Sequence, residues 1–130
     1  MKRWVLMMGL LMACLAMAGE GDAMLGTWVT SGGLSKVEIT KCGSRYCGTI
    51  QWMKTPKNDA NNADATLRGR PLVGAQILTG FGADGMGGKI YAPERGKLMD
   101  AKLVVVGGDS LEVRVSAGMI KKTVAWTRVR

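Results

Sequence analysis

From residue 26 onward the chain alternates. Val37 and Ile39 stand on one side of a two-residue period, with Glu38 and Thr40 on the other. A strand reads this way when one of its faces is buried. Ile50 and Trp52 alternate with Thr49 and Gln51, and Leu111, Val113 and Val115 with Glu112, Arg114 and Ser116. Similar runs occupy 26–30, 89–92, 98–106 and 121–130, and 72–81 is an extended apolar segment carrying Val73, Ile77 and Leu78. Turn residues separate them: Ser31-Gly32-Gly33, the glycine-rich 82–88, Pro93 to Gly96, Gly107-Gly108-Asp109, and Gly118. No helical period is sustained, and the one candidate is a single turn over 65–70, stopped by Pro71. About eight short strands with frequent turns predict an all-β fold, an antiparallel sandwich or an up-and-down barrel. Closure removes exposed edges. Eight strands close around either packed side chains or one small ligand.

Two stretches break the alternation. Residues 1–18 begin with Lys2 and Arg3, continue apolar and end in Ala16-Met17-Ala18. These features predict a signal peptide, with a single β-barrel domain over 19–130 in the periplasm or outside the cell. The apolar run of about fifteen residues is shorter than the ~20 of a membrane-spanning helix. Leu11-Met12-Ala13-Cys14 also resembles a lipoprotein cleavage box, which would make Cys14 a lipidated first residue. The second break is the polar 55–66, with Asn58, Asp59, Asn61, Asn62 and Asp64. It reads as a long solvated loop built from turns that Asn and Asp side chains cap themselves.

Composition narrows the chemistry. The net charge of +8 becomes +6 without Lys2 and Arg3, so an anionic neighbour or simply a solubilising surface is expected. Few aromatics and no binding motif argue against nucleic acid. The chain has no histidine, which removes the usual general acid–base and metal-binding side chain. No catalytic residue, metal or cofactor is expected. In an oxidising compartment Cys42 and Cys47, flanking a predicted hairpin bend, read as a disulfide. Metal and redox readings of the pair lack a second cysteine pair and a Cys-x-x-Cys spacing.

The candidates for binding are few. Arg68 and Arg70 stand two apart beside Pro71. They either fork a carboxylate or phosphate at a barrel mouth, or hold the long loop through Asp59, Asp64 or backbone carbonyls. Trp52, Tyr91, Met53 and Met99 either line an apolar cavity or pack a core.

Leu67-Arg68-x-Arg70-Pro71-Leu72-x-Gly74, then Ile77 to Phe81, together with Gly26-Thr27-Trp28, Cys42 to Gly48, Gly88 to Pro93 and Trp126-Thr127-Arg128, resemble a known pattern. It is that of the bacterial exported family labelled domain of unknown function 2147. The resemblance implies a lipocalin-like, calycin-type eight-stranded antiparallel barrel and supplies no reaction. It also implies that Gly26 and Trp28 on the first strand and Arg128 on the last close the barrel, with the guanidinium across the indole. Ala92 stands where the family usually has an aspartate. Two functions follow as expectations. One is a barrel holding a small amphipathic or anionic ligand. The other is an envelope structural or protein-interaction module with a packed, ligand-free core.

Overall fold

In the computed structural model eight antiparallel strands pair in chain order, and the last returns to the first. The structure describes residues Glu20–Arg130, so the signal-peptide and Cys14 expectations lie outside the described residues. The strands are β1 (Gly26–Val29), β2 (Ser35–Cys42), β3 (Arg45–Met53), β4 (Gln76–Phe81), β5 (Gly88–Ala92), β6 (Lys97–Val106), β7 (Ser110–Ala117) and β8 (Ile120–Arg128). Closure is made where Trp28 pairs with Arg128 and Val29 with Thr127. Among the described residues no helix is long and apolar enough to cross a membrane.

Alternation sends one face of each strand inward. Trp28, Val37, Ile39, Leu78, Phe81, Leu111 and Val113 are each at most 1% exposed. Full burial of each such side chain stabilises by about 1.5–3 kcal/mol. Two large residues occupy space that glycines leave open. A Cβ on Gly48 would lie 2.7 Å from Leu78 Cδ1, and one on Gly88 would overlap the Phe81 ring.

An up-and-down barrel places alternate connections at opposite ends. One end carries a 3-10 turn over Glu20–Met24 and the β2–β3, β4–β5 and β6–β7 turns. Met24 and Tyr46 are buried there, and Tyr46 donates its hydroxyl to Asp22 at 3.0 Å. We call this the closed end. The open end carries the connections at 30–34, 54–75, 93–96 and 118–119.

Three local details differ from the alternation read in the sequence. The β2–β3 turn is only Gly43-Ser44, so both cysteines lie within strands, bonded to each other with Cα atoms 5.9 Å apart. In β3, Lys36 pairs with Trp52 but Val37 with Ile50, leaving Gln51 as an extra residue. Such a bulge restarts the alternation out of phase. Met53 therefore packs on the core, whereas Trp52 is 43% exposed beneath the Lys36 ammonium. Finally, β4 starts only at Gln76. Residues 72–75 form a turn, with the Ala75 amide donating to the Leu72 carbonyl and Gly74 at φ 95°.

Candidate functional site

The long connection between β3 and β4 is folded around one carboxylate. Asp59 is 1% exposed. Its Oδ1 accepts the Tyr91 hydroxyl at 2.6 Å, and its Oδ2 accepts Asn62 Nδ2 at 2.7 Å and Arg70 Nε at 2.9 Å. Burial alone would push this carboxyl up. The hydrogen bonds from Asn62, Tyr91 and Arg70, together with the Arg70 charge, outweigh it and hold Asp59 below the usual carboxylate range. Burial, then the hydrogen bond to Asp59 and its negative charge, push the Tyr91 hydroxyl up to about 12. The Arg70 guanidinium lies 5.6 Å from the Tyr91 ring centre. Arg68 Nε donates to the Asn62 carbonyl at 2.8 Å.

This lock sits on the outside of the barrel. Gly88 and Ile90 of β5 face inward against Phe81 and the core, so Lys89 and Tyr91 face outward. Leu98, the cross-strand partner of Tyr91, is 61% exposed. Tyr91 is buried because the loop covers it. The same loop reaches the β5–β6 turn, where Asn61 Nδ2 donates weakly to the Pro93 and Glu94 carbonyls. Gly96, at φ 65°, passes so close to the Asn61 carbonyl that no Cβ fits between them. The Ala92 carbonyl accepts the Arg95 and Gly96 amides of that turn.

At the closed end Arg128 spans the seam. Its guanidinium lies 4.3 Å from the Trp28 ring centre and donates to the carbonyls of Gly108, Leu25 and Ala23 at 2.7, 2.9 and 2.6 Å. Trp28 Nε1 donates to the Met24 carbonyl at 2.9 Å. Gly26 sits at φ 124°, and a Cβ there would come within 2.9 Å of the Arg128 guanidinium.

At the open end the inner face of β6, β7 and β8 becomes partly exposed, and we call this stretch the cup. Register places Val105, Leu111 and Trp126 in one inward row, then Leu103, Val113 and Val124, then Ala101, Val115 and Lys122, then Ala117 and Ile120. Exposure rises along these rows. Leu111 and Val113 are fully buried, Val124, Ala101 and Val115 are partly buried, and Lys122 and Ile120 are exposed. Met53 of β3 and Ile90 of β5, the strand beside β6, add partly buried apolar surface. Lys122 is thus a cation at the rim of an apolar inner row, and it takes part in no ion pair among the described residues. An open depression of 320 Å³ on these strands belongs mostly to their outer face: Asp100, Ser116 and Lys121 and then Lys102, Arg114 and Thr123, six of its nine lining residues, stand in the outward rows, with Ala101, Val115 and Lys122 between them. A second, of 540 Å³, lies at the closed end between Ser44-Arg45 and the β4–β5 turn.

The binding residues named from the sequence are therefore not one constellation. Tyr91 and Arg70 are brought together, with Arg68 beside them, on the outer wall. Trp52 stands apart on the surface and lines no interior. Asp59, read as a solvated loop acid, is instead the buried centre of the lock, and Lys122 was missed. The only sequence signal for Lys122 was its parity with Val124 and Trp126. Among the described residues no group of three or more Cys, Asp and Glu gathers where a metal ion could be held.

Comparison with known proteins gives the chain a family setting. The model of a family described as "Uncharacterized protein conserved in bacteria (DUF2147)" matches residues 26–128. No curated protein matches the chain. A solved structure from Helicobacter pylori, titled "Protein HP1028 from the human pathogen Helicobacter pylori belongs to the lipocalin family", superposes with a TM-score of 0.75 at 24% identity. The alignment covers 82% of this chain and 83% of that one. The likeness is one of fold.

Proposed function

The chain belongs to the DUF2147 family, and on that premise we propose that it is a binding protein of an oxidising, extracytoplasmic compartment. Its cup takes the apolar part of a small anionic amphiphile. The observation that carries this reading is the gradient along the inner face of β6–β8, apolar from Leu111 to Val115 while exposure rises, and ending at Lys122. A carbon chain laid against Val115, Val124 and Ile90 leaves water, and an anionic head meets the ammonium. The Cys42–Cys47 disulfide supports the compartment. Binding rather than catalysis is the better reading because the one buried acid among the described residues, Asp59, has its hydrogen bonds filled by its own loop and by Tyr91.

The filled lower half of the barrel favours the second reading, an envelope interaction module that holds no ligand. Titration with dodecanoate and with dodecyltrimethylammonium, followed by tryptophan fluorescence, separates the two. We expect saturable binding of the anion only, weakened about tenfold in Lys122→Glu. No saturable binding, or an unaltered Lys122→Glu, removes the cup. Native mass spectrometry of protein from its own host adds the natural occupant, if one is held.

A further inference from the structure

Charge on this barrel is divided between its ends. Residues 20–130 carry a net +6, with sixteen Lys and Arg against ten Asp and Glu. Within 30–36, 54–75, 92–97 and 118–122, the open-end connections and the strand residues beside them, there are nine Lys and Arg. They face three acids, Asp59, Asp64 and Glu94. Asp59 is buried and paired with Arg70. The remainder, with seven of each sign, is neutral. The same end carries the four most exposed large apolar side chains among the described residues, Met119 fully exposed, Ile120 64%, Leu98 61% and Leu34 59%, and also Trp52 at 43%; Met86 at 50% and Val106 at 47% lie at the closed end.

We propose that the open end docks on an anionic lipid bilayer. Apolar tips ringed by cations suit that surface: the side chains of Leu34, Leu98 and Met119 enter the headgroup–acyl boundary while the lysines stay among the phosphates. Trp52 beneath the Lys36 ammonium is a side chain of the kind that settles at such a boundary. A protein partner would match a flat or grooved face, whereas these tips come from separate loops and share only their end of the barrel. The inference does not rest on the cup, since Leu34, Leu98 and Met119 lie outside it.

The test is co-sedimentation of protein purified from its own host, with the N-terminus that host leaves on it. The vesicles are of phosphatidylcholine, with and without phosphatidylglycerol. Binding to the anionic vesicles only, reversed by salt, is expected. Met119→Glu combined with Leu98→Glu, and separately Lys121→Glu, should each lower it about tenfold or more. Arg45→Glu, the same charge change at the closed end, should leave it unaltered. Three results would overturn the proposal: binding to neither vesicle, equal loss in Arg45→Glu, or a stable dimer that Met119→Glu dissolves.

Discussion

Asp59 decides how the β3–β4 connection is held. Replacing it with alanine leaves the Tyr91 hydroxyl, Asn62 and Arg70 without their acceptor. Breaking a buried charge pair in this way costs about 3–5 kcal/mol, and a urea midpoint should fall accordingly. The pair also sets a pH window. Asp59 titrates lower in the folded chain than the ~3.9 of an unfolded aspartate. Its contribution is therefore complete above roughly pH 4 and is lost as pH falls through the folded value. Tyr91 is raised to about 12. Its contribution is complete below the unfolded value of ~10 and is lost as pH rises through about 12. Tyr46 is also pushed up, by burial and then by its hydrogen bond to Asp22. Absorbance titration should therefore show both tyrosines ionising above the ordinary ~10, and Tyr91→Phe should remove the step near pH 12. The sequence allowed Arg68 and Arg70 two roles, ligand or loop, and the structure has both Nε atoms holding the loop. It offered Asp59 as one partner for them but did not reveal its burial. A run of Asn and Asp reads as turns, and burial of that carboxylate depends on a tyrosine 32 residues further on.

At the scale of elements, strand identity was legible wherever apolar and polar residues alternate without interruption, as in β2 and β7. It failed where the backbone inserts a residue. The extra Gln51 in β3 sends Met53 inward and Trp52 outward, and no periodicity marks a single-residue bulge in advance. The start of β4 was misplaced for a related reason. Leu72 and Val73 look like strand, but Gly74 at φ 95° turns the chain first. The β2–β3 hairpin has its own fastening. Cys42 and Cys47 close a ring of sequence separation 5, so the chain-entropy gain is only ~2 kcal/mol. Converting both to alanine should lower stability by about that amount. Hydrogen exchange should quicken at the tip of β2 and β3 while β6–β8 stays protected; equal loosening everywhere would mean that the bond secures more than its hairpin.

For the whole molecule, eight strands and a barrel could be read from alternation and turns, and the closing pair from resemblance. The cup and the charge asymmetry needed the register, because only pairing tells which residues share a row and which turns share an end. The seam between β1 and β8 is short, two residue pairs, and Arg128 reinforces it through three carbonyls and the Trp28 ring. Arg128→Ala removes all of these. We expect a loss of roughly 3 kcal/mol, read as a lower melting temperature. Arg128→Lys should recover only part of it, since an ammonium lacks the planar fork.

That same guanidinium reaches Ala23 and Leu25 from the last strand, so the segments flanking the seam lie together at one pole. A short linker joining them would leave every pairing intact, and the chain could be reopened at Gly118-Met119 on the opposite pole. Such a circular permutant would begin and finish at the mouth. The order of synthesis and the shape of the ring are then separable, because the ring is defined by neighbours and has no natural first member.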